Sequence, residues 1–286
     1  MPGSPRPAAP RVERVRLDAL LVERGLVGSR EKAQALVLAG AVSADGRRAE
    51  KAGQLLARDA ALAVEASDSF VSRGGVKLEH ALNRFSIDVA DRVCLDAGAS
   101  TGGFTDCLLR RGARRVYAVD VGRGQLDWRL RNDPRVVVSE RTNVRYLEQL
   151  PESMDLAVVD LSFISLRLVL LPIRRLVREG GPIVALVKPQ FEAGRGQVGR
   201  GGVVRDREVH RRVLVDLWAW CAAHGFAPRD LTASPIRGPA GNVEFFLYLD
   251  AGIESRADEG DVPEASAAIS RALAEAPVSP AGCAAR

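Results

Sequence analysis

Four charged residues stand where side chains could do chemistry. Asp160 closes the apolar run Leu156-Ala157-Val158-Val159, and Lys188 closes Ile183-Val184-Ala185-Leu186-Val187. Lys77 lies in the glycine-rich stretch Ser72-Arg73-Gly74-Gly75-Val76-Lys77-Leu78, and Glu244 follows Gly241-Asn242-Val243. Two lysines with two carboxylates suit proton transfer better than a metal site. A free lysine titrates near about 10.4, so it serves as a base at neutral pH only if burial or a nearby cation lowers that value. The second lysine is one such cation. The carboxylates would orient the lysines while opposing the shift. An ordinary ion pair between Asp160 and Lys188 is the plainer alternative, since structural pairs also perturb titration.

A second constellation is a loop of small residues. Val93-Cys94-Leu95 leads into Asp96-Ala97-Gly98-Ala99-Ser100-Thr101-Gly102-Gly103, and Phe104 opens a helical pattern. Such a strand-loop-helix unit presents ligands at the carboxyl ends of strands, and small residues let backbone approach them. The loop is neither G-x-G-x-x-G nor G-x-x-x-x-G-K-[ST], which argues against a dinucleotide pyrophosphate or a nucleoside triphosphate. Asp120 ends the next apolar run, where a carboxylate can hold ribose hydroxyls. A ribose-bearing ligand with little phosphate fits best, and S-adenosylmethionine is the common one; its sulfonium would be a further cation near the lysines. The expected cofactor contacts are Asp96, Gly98, Ala99, Ser100, Thr101, Gly102, Gly103, Phe104, Asp120, Val121, Asn143 and Asp160. A tight turn without ligand is the alternative.

Two motifs are discounted by context. Gly194-Arg195-Gly196-Gln197-Val198-Gly199 matches G-x-G-x-x-G, but no helix follows it. It reads as a flexible loop over the site, within reach of substrate. Arg16-Leu17-Asp18 resembles the catalytic triplet of pseudouridine synthases but opens a small separate unit.

The elements that must position these groups form a regular alternation. Strands are expected at 93–96, 116–120, 136–138, 156–160, 183–188, 231–233 and 243–249. Helices are expected at 104–111, 125–131, 166–177 and 208–225. Continuous β-branched runs alternating with helices give an α/β fold whose mostly parallel sheet is covered on both faces. Ahead of it, residues 15–66 read as a small α+β domain. One helix is closed by Gly25, and a second begins at Ser29 and is closed by Gly40. A short strand, Ala41-Val42-Ser43, then leads into an Asp45-Gly46 turn, and a second short strand lies near Leu62-Val64. Residues 1–14 read as a disordered tail, 67–82 as a linker carrying Lys77, and 83–252 as the large domain. Residues 253–286 read as an acidic tail with one short helix at 265–276.

Composition bounds the partners. The 286 residues carry a net charge of +5. In residues 251–286 six acidic residues outnumber three arginines, so that segment is −3 and residues 1–250 carry +8. A basic body favours a polyanion, although plain solubility would explain it too. Cys94, Cys107, Cys221 and Cys283 form no C-x-x-C, and His80, His210 and His224 form no cluster, so neither zinc nor any other metal is expected. The absence of a disulfide framework suits a reducing cytoplasm. Residues 1–10 have no apolar core of a signal peptide, and Leu156 to Val177 is too interrupted to span a membrane.

Taken together, five segments resemble the TlyA (hemolysin A) family of ribosomal RNA 2′-O-methyltransferases. They are Ser72 to Leu78, Leu95 to Thr105, Asp160-Leu161-Ser162-Phe163-Ile164-Ser165-Leu166, Leu186-Val187-Lys188-Pro189-Gln190-Phe191-Glu192, and Gly241 to Glu244. The resemblance spans roughly Val15 to Leu249. It implies an S4-like RNA-binding domain followed by a Rossmann-like class I methyltransferase of the FtsJ type with a seven-stranded sheet. It maps a Lys-Asp-Lys-Glu tetrad onto Lys77, Asp160, Lys188 and Glu244. It further implies a cytidine 2′-hydroxyl as acceptor, Lys188 as base, Asp160 and Lys77 as aligning groups, and Glu244 as their support. The sequence departs from close relatives at Asp68-Ser69-Phe70, where they carry an Arg and a Trp, so coupling through this linker is not carried over. The segment after Ala251 resembles longer members that act on both subunits.

Ribosomal RNA within subunits is thus the expected partner, with no membrane and a monomer as the default. Candidate RNA contacts are Arg14, Arg16, Arg24, Arg30, Lys32, Arg47, Arg48 and Arg73. For any one of them a solvated surface charge is as good a reading. No aromatic platform for stacking bases is evident, which favours recognition of shape and backbone. The rival readings are a non-catalytic RNA-binding assembly factor and a membrane-active hemolysin.

Overall fold

The computed structural model describes residues 14–38, 40–64, 70–252 and 261–277. The chain divides into two compact units, within residues 1–69 and 70–286.

The first unit runs β1 (Arg14–Arg16), α1 (Leu17–Glu23), α2 (Arg30–Leu38), β2 (Val42–Ala44), β3 (Arg47–Arg48), β4 (Leu55–Ala57) and β5 (Leu62–Val64). Asp45 and Gly46 both have positive φ, the geometry of the tight hairpin joining β2 to β3. β2 also pairs antiparallel with β5, and β1 with β4. The Ser29 hydroxyl accepts from the Lys32 amide at 3.2 Å, as its place before α2 suggested. Leu17, Leu21, Val27, Ala33, Val37, Val42 and Ala49 form the core. Arg14 lies in β1 rather than in a tail; residues 1–13 lie outside the described residues. The strands β1, β3 and β4 were not anticipated, because two or three residues are too short to show a period.

The second unit opens with α3 (Arg73–Arg84). It continues through β6 (Val93–Ala97), α4 (Gly103–Arg110), β7 (Arg115–Val119), α5 (Trp128–Arg131), β8 (Val136–Ser139), β9 (Leu156–Val159), α6 (Leu170–Leu176) and β10 (Pro182–Val187). Then follow α7 (Pro189–Glu192), α8 (Arg207–Ala223), β11 (Phe226–Ala233), β12 (Phe245–Ala251) and α9 (Asp261–Glu275). The sheet order is β11-β12-β10-β9-β6-β7-β8. All neighbours are parallel except β12, which is antiparallel to both β10 and β11. The expected mostly parallel seven-stranded sheet is therefore present. Every residue of β6, β9 and β10 is buried, because each has helices on both faces. From β6 the chain winds outward through β7 to β8, then returns to β9 on the other side. The resulting switch point lies at the carboxyl ends of β6 and β9.

Several boundaries differ from expectation. The stretch up to Leu82, expected to be polar linker turning helical at Leu78, is helical already from Arg73 as α3, and Leu78, Ala81 and Leu82 sit in the core against α4. The helix expected at 125–131 shrinks to Trp128–Arg131, started by the Asp127 carboxylate accepting from the Arg129 amide. The pattern at 166–177 splits into a 3-10 turn (Leu166–Leu168) and α6, with Pro172 in the first turn, where no amide is needed. β11 begins at Phe226, five residues early. The acidic segment is not merely a tail. Ala268, Ile269, Ala272 and Leu273 of α9 are buried, and α9 packs on β11 and α8. Residues 253–260 and 278–286 lie outside the described residues, as do Asp68 and Ser69 of the divergent linker. Phe70 packs against the core beneath the Arg110 guanidinium, 4.9 Å from ring centroid to Cζ.

Candidate active site

The site grows from the switch point. The loop after β6 touches the end of β9 so closely that a Cβ on Gly98 would lie 2.4 Å from the Asp160 carbonyl oxygen. The φ of Gly98 is +93°, so both space and backbone call for glycine. Gly103 is equally confined. It begins α4 against the start of α3, where a Cβ would sit 2.2 Å from the Ser72 hydroxyl. Two helix starts and two strand ends thus converge.

Two cavities flank the loop. One, of about 410 Å³, is lined by Ser72, Arg73, Gly74, Lys77, Gly98, Ala99, Ser100, Thr101, Gly103, Phe104, Asp160 and Pro239. The other, of about 490 Å³, takes Asp120, Val121, Gln125, Thr142, Asn143 and Val144 from one side and Asp160 to Ile164 from the other. Gly98, Ser100 and Asp160 belong to both. Ten of the twelve expected cofactor contacts line one cavity or both. The exceptions are Gly102, which precedes α4 as its N-cap with φ +95°, and Asp96.

Asp96 is fully buried. Its Oδ2 accepts from the Thr105 hydroxyl at 2.6 Å, and its Oδ1 has no hydrogen-bond partner. Burial pushes its carboxyl up to about 7; the Thr105 bond opposes the rise, and the nearby Asp160 and Asp120 charges add to it. An orphaned acidic oxygen beneath the loop suits a ligand that brings positive charge. Asp120 holds the loop: its Oδ2 accepts from the Ser100 amide at 2.8 Å and its Oδ1 from the Gly122 amide at 2.6 Å. Asn143 caps a 3-10 turn by accepting from the Arg145 amide at 3.0 Å.

The four chemistry-bearing residues form two ion pairs. Lys77 Nζ donates to Glu244 Oε2 at 2.6 Å, and both side chains are buried. Lys188 Nζ lies 2.7 Å from Asp160 Oδ1, without hydrogen-bond alignment, and donates to the Ser162 hydroxyl at 2.9 Å. Lys77 and Asp160 face the first cavity, and their partners Glu244 and Lys188 lie outside its lining. Lys188 stands immediately after β10 at the start of α7, and Glu244 immediately before β12. Adjacent strands therefore deliver three members, and α3 delivers the fourth.

Sequence reasoning assigned no role to three features of this site. Ser162 anchors Lys188; its only signal was its place two residues after Asp160. Glu192 ties the segment after Asp160 to α7, accepting from the Leu166 amide and the Ser165 hydroxyl, both at 2.7 Å. Burial raises its carboxyl above the usual range. Phe163 has φ +64°, is 91% exposed, and meets the Phe191 ring at 5.1 Å between centroids. An aromatic surface thus exists beside Asp160, contrary to the expectation that none would be found. A bulky residue with positive φ is strained.

The proposed RNA contacts differ in setting. Arg16 donates to the fully buried Asp18 at 3.0 and 2.8 Å, and Arg30 and Gln34 donate to the same carboxylate. The Arg16 hydrogen bond is the main reason that the Asp18 carboxyl falls far below its usual range. Arg24 donates to the Ala60 carbonyl at 2.6 Å and also to that of Arg58. Arg14, Lys32, Arg47 and Arg48 are exposed. Arg73, in the second unit, lines the first cavity and donates to the Arg237 carbonyl at 2.6 Å.

A seven-stranded sheet of this order, with a glycine loop after its central strand and acidic residues ending its neighbours, has the architecture of a methyltransferase. Residues 70–251 match the FtsJ-like methyltransferase family model, and residues 15–61 match the S4 domain model. The chain belongs to the TlyA family of FtsJ-like methyltransferases. It is 48% identical to "16S/23S rRNA (cytidine-2'-O)-methyltransferase TlyA" of Mycobacterium tuberculosis, over 92% of this chain and 99% of that one. It is 51% identical to "Putative rRNA methyltransferase YqxC" of Bacillus subtilis, over 82% and 85%. The solved structure "Putative hemolysin from Streptococcus thermophilus" is 42% identical, with a TM-score of 0.67, covering 92% of this chain and 97% of that one. No helix among the described residues is long and apolar enough to cross a membrane.

Proposed function

We propose that this protein transfers a methyl group from S-adenosylmethionine to the 2′-hydroxyl of a cytidine in ribosomal RNA, acting on ribosomal subunits in the cytoplasm. The observation that carries this reading is the pair of coupled lysine–carboxylate contacts set around one cavity at the sheet's switch point. The cytidine and the ribosomal substrate follow the activities for which the relatives are named.

Asp120, Val121 and Asn143 would hold the adenosine side of the cofactor, and Gly98 to Gly103 its amino-acid side. The orphaned Asp96 oxygen lies beneath that loop as counter-charge. When bound, the cofactor supplies an electrophilic methyl group on a cationic sulfur. Asp160 belongs to both cavities and so can orient a hydroxyl facing that methyl group. Lys188, held by Asp160 and Ser162, is the group placed to take the proton from that hydroxyl. Lys77, held by Glu244, would orient the ribose from α3. An in-line displacement depends on such positioning for much of its rate. The exposed Phe163 face can carry the unstacked target base.

The test incubates purified protein with unmodified small and large ribosomal subunits and methyl-labelled cofactor, followed by nucleoside mass spectrometry. 2′-O-methylcytidine is expected. Confirmed cofactor binding with no methylated nucleotide would refute the proposal and leave the assembly-factor reading.

A further inference from the structure

The glycine-rich segment between α7 and α8 has no part in the chemistry above. Its glycines are not all required by the protein itself. Cβ atoms built on Gly194 and Gly196 meet nothing within 4 Å, and neither residue has positive φ. Packing and backbone geometry would therefore accept alanine at both. The segment is nonetheless shaped. Two 3-10 turns, Arg195–Gln197 and Arg200–Gly202, are closed by backbone bonds from Gln197 to Gly194 at 2.9 Å and from Gly202 to Gly199 at 3.1 Å. Ala193 and Val198 pack against the core of the second unit.

Both of its ends are pinned beside the tetrad. At the start, the Ala193 amide donates to the Pro189 carbonyl at 2.8 Å, one residue after Lys188. At the end, the buried Asn242 clasps it: Asn242 Nδ2 donates to the Gly202 carbonyl at 2.9 Å, and the Val204 amide donates to Asn242 Oδ1 at 3.0 Å. His210 secures Val204 further through the Val204 carbonyl at 3.0 Å. Asn242 is two residues from Glu244. Between Glu192 and Asp206 the sequence holds Arg195, Arg200 and Arg205 and no acidic residue. A glycine-rich backbone, whose sequence carries three arginines and no acid, is therefore held at its two ends next to Lys188 and Glu244.

We infer that residues 194–205 form a docking surface for the sugar-phosphate backbone of the substrate RNA flanking the target nucleotide. Arginines supply charge for phosphates, and glycines let the chain lie close against the strand. This rests on the RNA reading given above. The S4-like unit would then be one anchor, and this loop a second anchor at the reaction centre itself.

The experiment measures binding of ribosomal subunits by filter retention over a series of salt concentrations, together with methyl transfer. Each phosphate contact contributes about 0.7–0.9 to the slope of log affinity against log salt. The triple variant R195A/R200A/R205A is expected to lower that slope by about 2. The double variant Gly194→Ala with Gly196→Ala is expected to weaken binding about tenfold. Its melting temperature and cofactor affinity should stay at the wild-type values, a combination that a purely structural loop would not give. Subunit binding that depends on these residues without methyl transfer overturns the reaction and leaves the loop assignment standing. An unchanged slope and unchanged binding with normal methyl transfer overturn the loop assignment alone. Failure of the wild type to bind subunits overturns both.

Discussion

Asp96→Asn should make the protein more stable at alkaline pH while spoiling its cofactor site. The Asp96 carboxyl titrates near about 4 in an unfolded chain and is pushed up to about 7 in the fold by burial. Because the folded value is the higher one, its contribution to stability is fully present below about pH 4 and is lost as pH rises through about 7. At about 1.4 kcal/mol per unit, three units set a ceiling of roughly 4 kcal/mol, of which about 3 is lost between pH 5 and pH 8. For a domain of this size that is a fall of roughly 5–10 °C in melting temperature. Asparagine retains an acceptor for the Thr105 hydroxyl and cannot ionise. Thermal melts of cofactor-free protein at pH 5 and pH 8 should therefore show a smaller fall for the variant, by several degrees. A cationic ligand favours the ionised carboxylate, so wild-type cofactor affinity should strengthen from pH 6 to pH 8 and that of the variant should not. Parallel melting curves for the two proteins across this range would refute the assignment of a buried, neutralising Asp96.

Three further outcomes follow from the site. Lys188→Ala should lower kcat by about 10²–10⁴-fold, with cofactor affinity measured by calorimetry changed less than twofold. Phe163→Ala should raise KM for ribosomal subunits about tenfold or more, the scale of one base stacked on an aromatic ring, and leave cofactor affinity intact. Glu192→Ala strands the Leu166 amide and the Ser165 hydroxyl; a loss of about 2 kcal/mol in urea unfolding is expected, with reduced kcat as the segment after Asp160 loses its anchor.

The strands, and with them the place of the glycine loop, were legible because runs such as Val93-Cys94-Leu95 and Ile183 to Val187 are buried on both faces and so are apolar throughout. Lys188 and Asp160 were legible because charge at the end of such a run is conspicuous. What escaped depended on distant parts of the chain. Trp128–Arg131 is short because Asp127 caps it locally. The α9 helix is integral because β11 and α8 cover its small residues, which look unpromising in isolation. Phe163 reads as one more apolar residue in a hydrophobic segment, and only its backbone conformation turns it outward. Arg16 and Arg30 look like free phosphate contacts until the buried Asp18 is seen to hold both.

The missing side chain at Gly98 has a consequence for how this site could change. The glycine loop after β6 and the strand end that presents Asp160 meet backbone to backbone at Gly98, with no side chain there to trim or enlarge. Their separation is therefore not an adjustable quantity. On the proposed reading, a new acceptor is then not accommodated by sliding the carboxylate away from the methyl group but is selected at the rim, by Phe163, Pro239 and the surfaces beyond them. Donor geometry and nucleotide choice would in that case evolve separately.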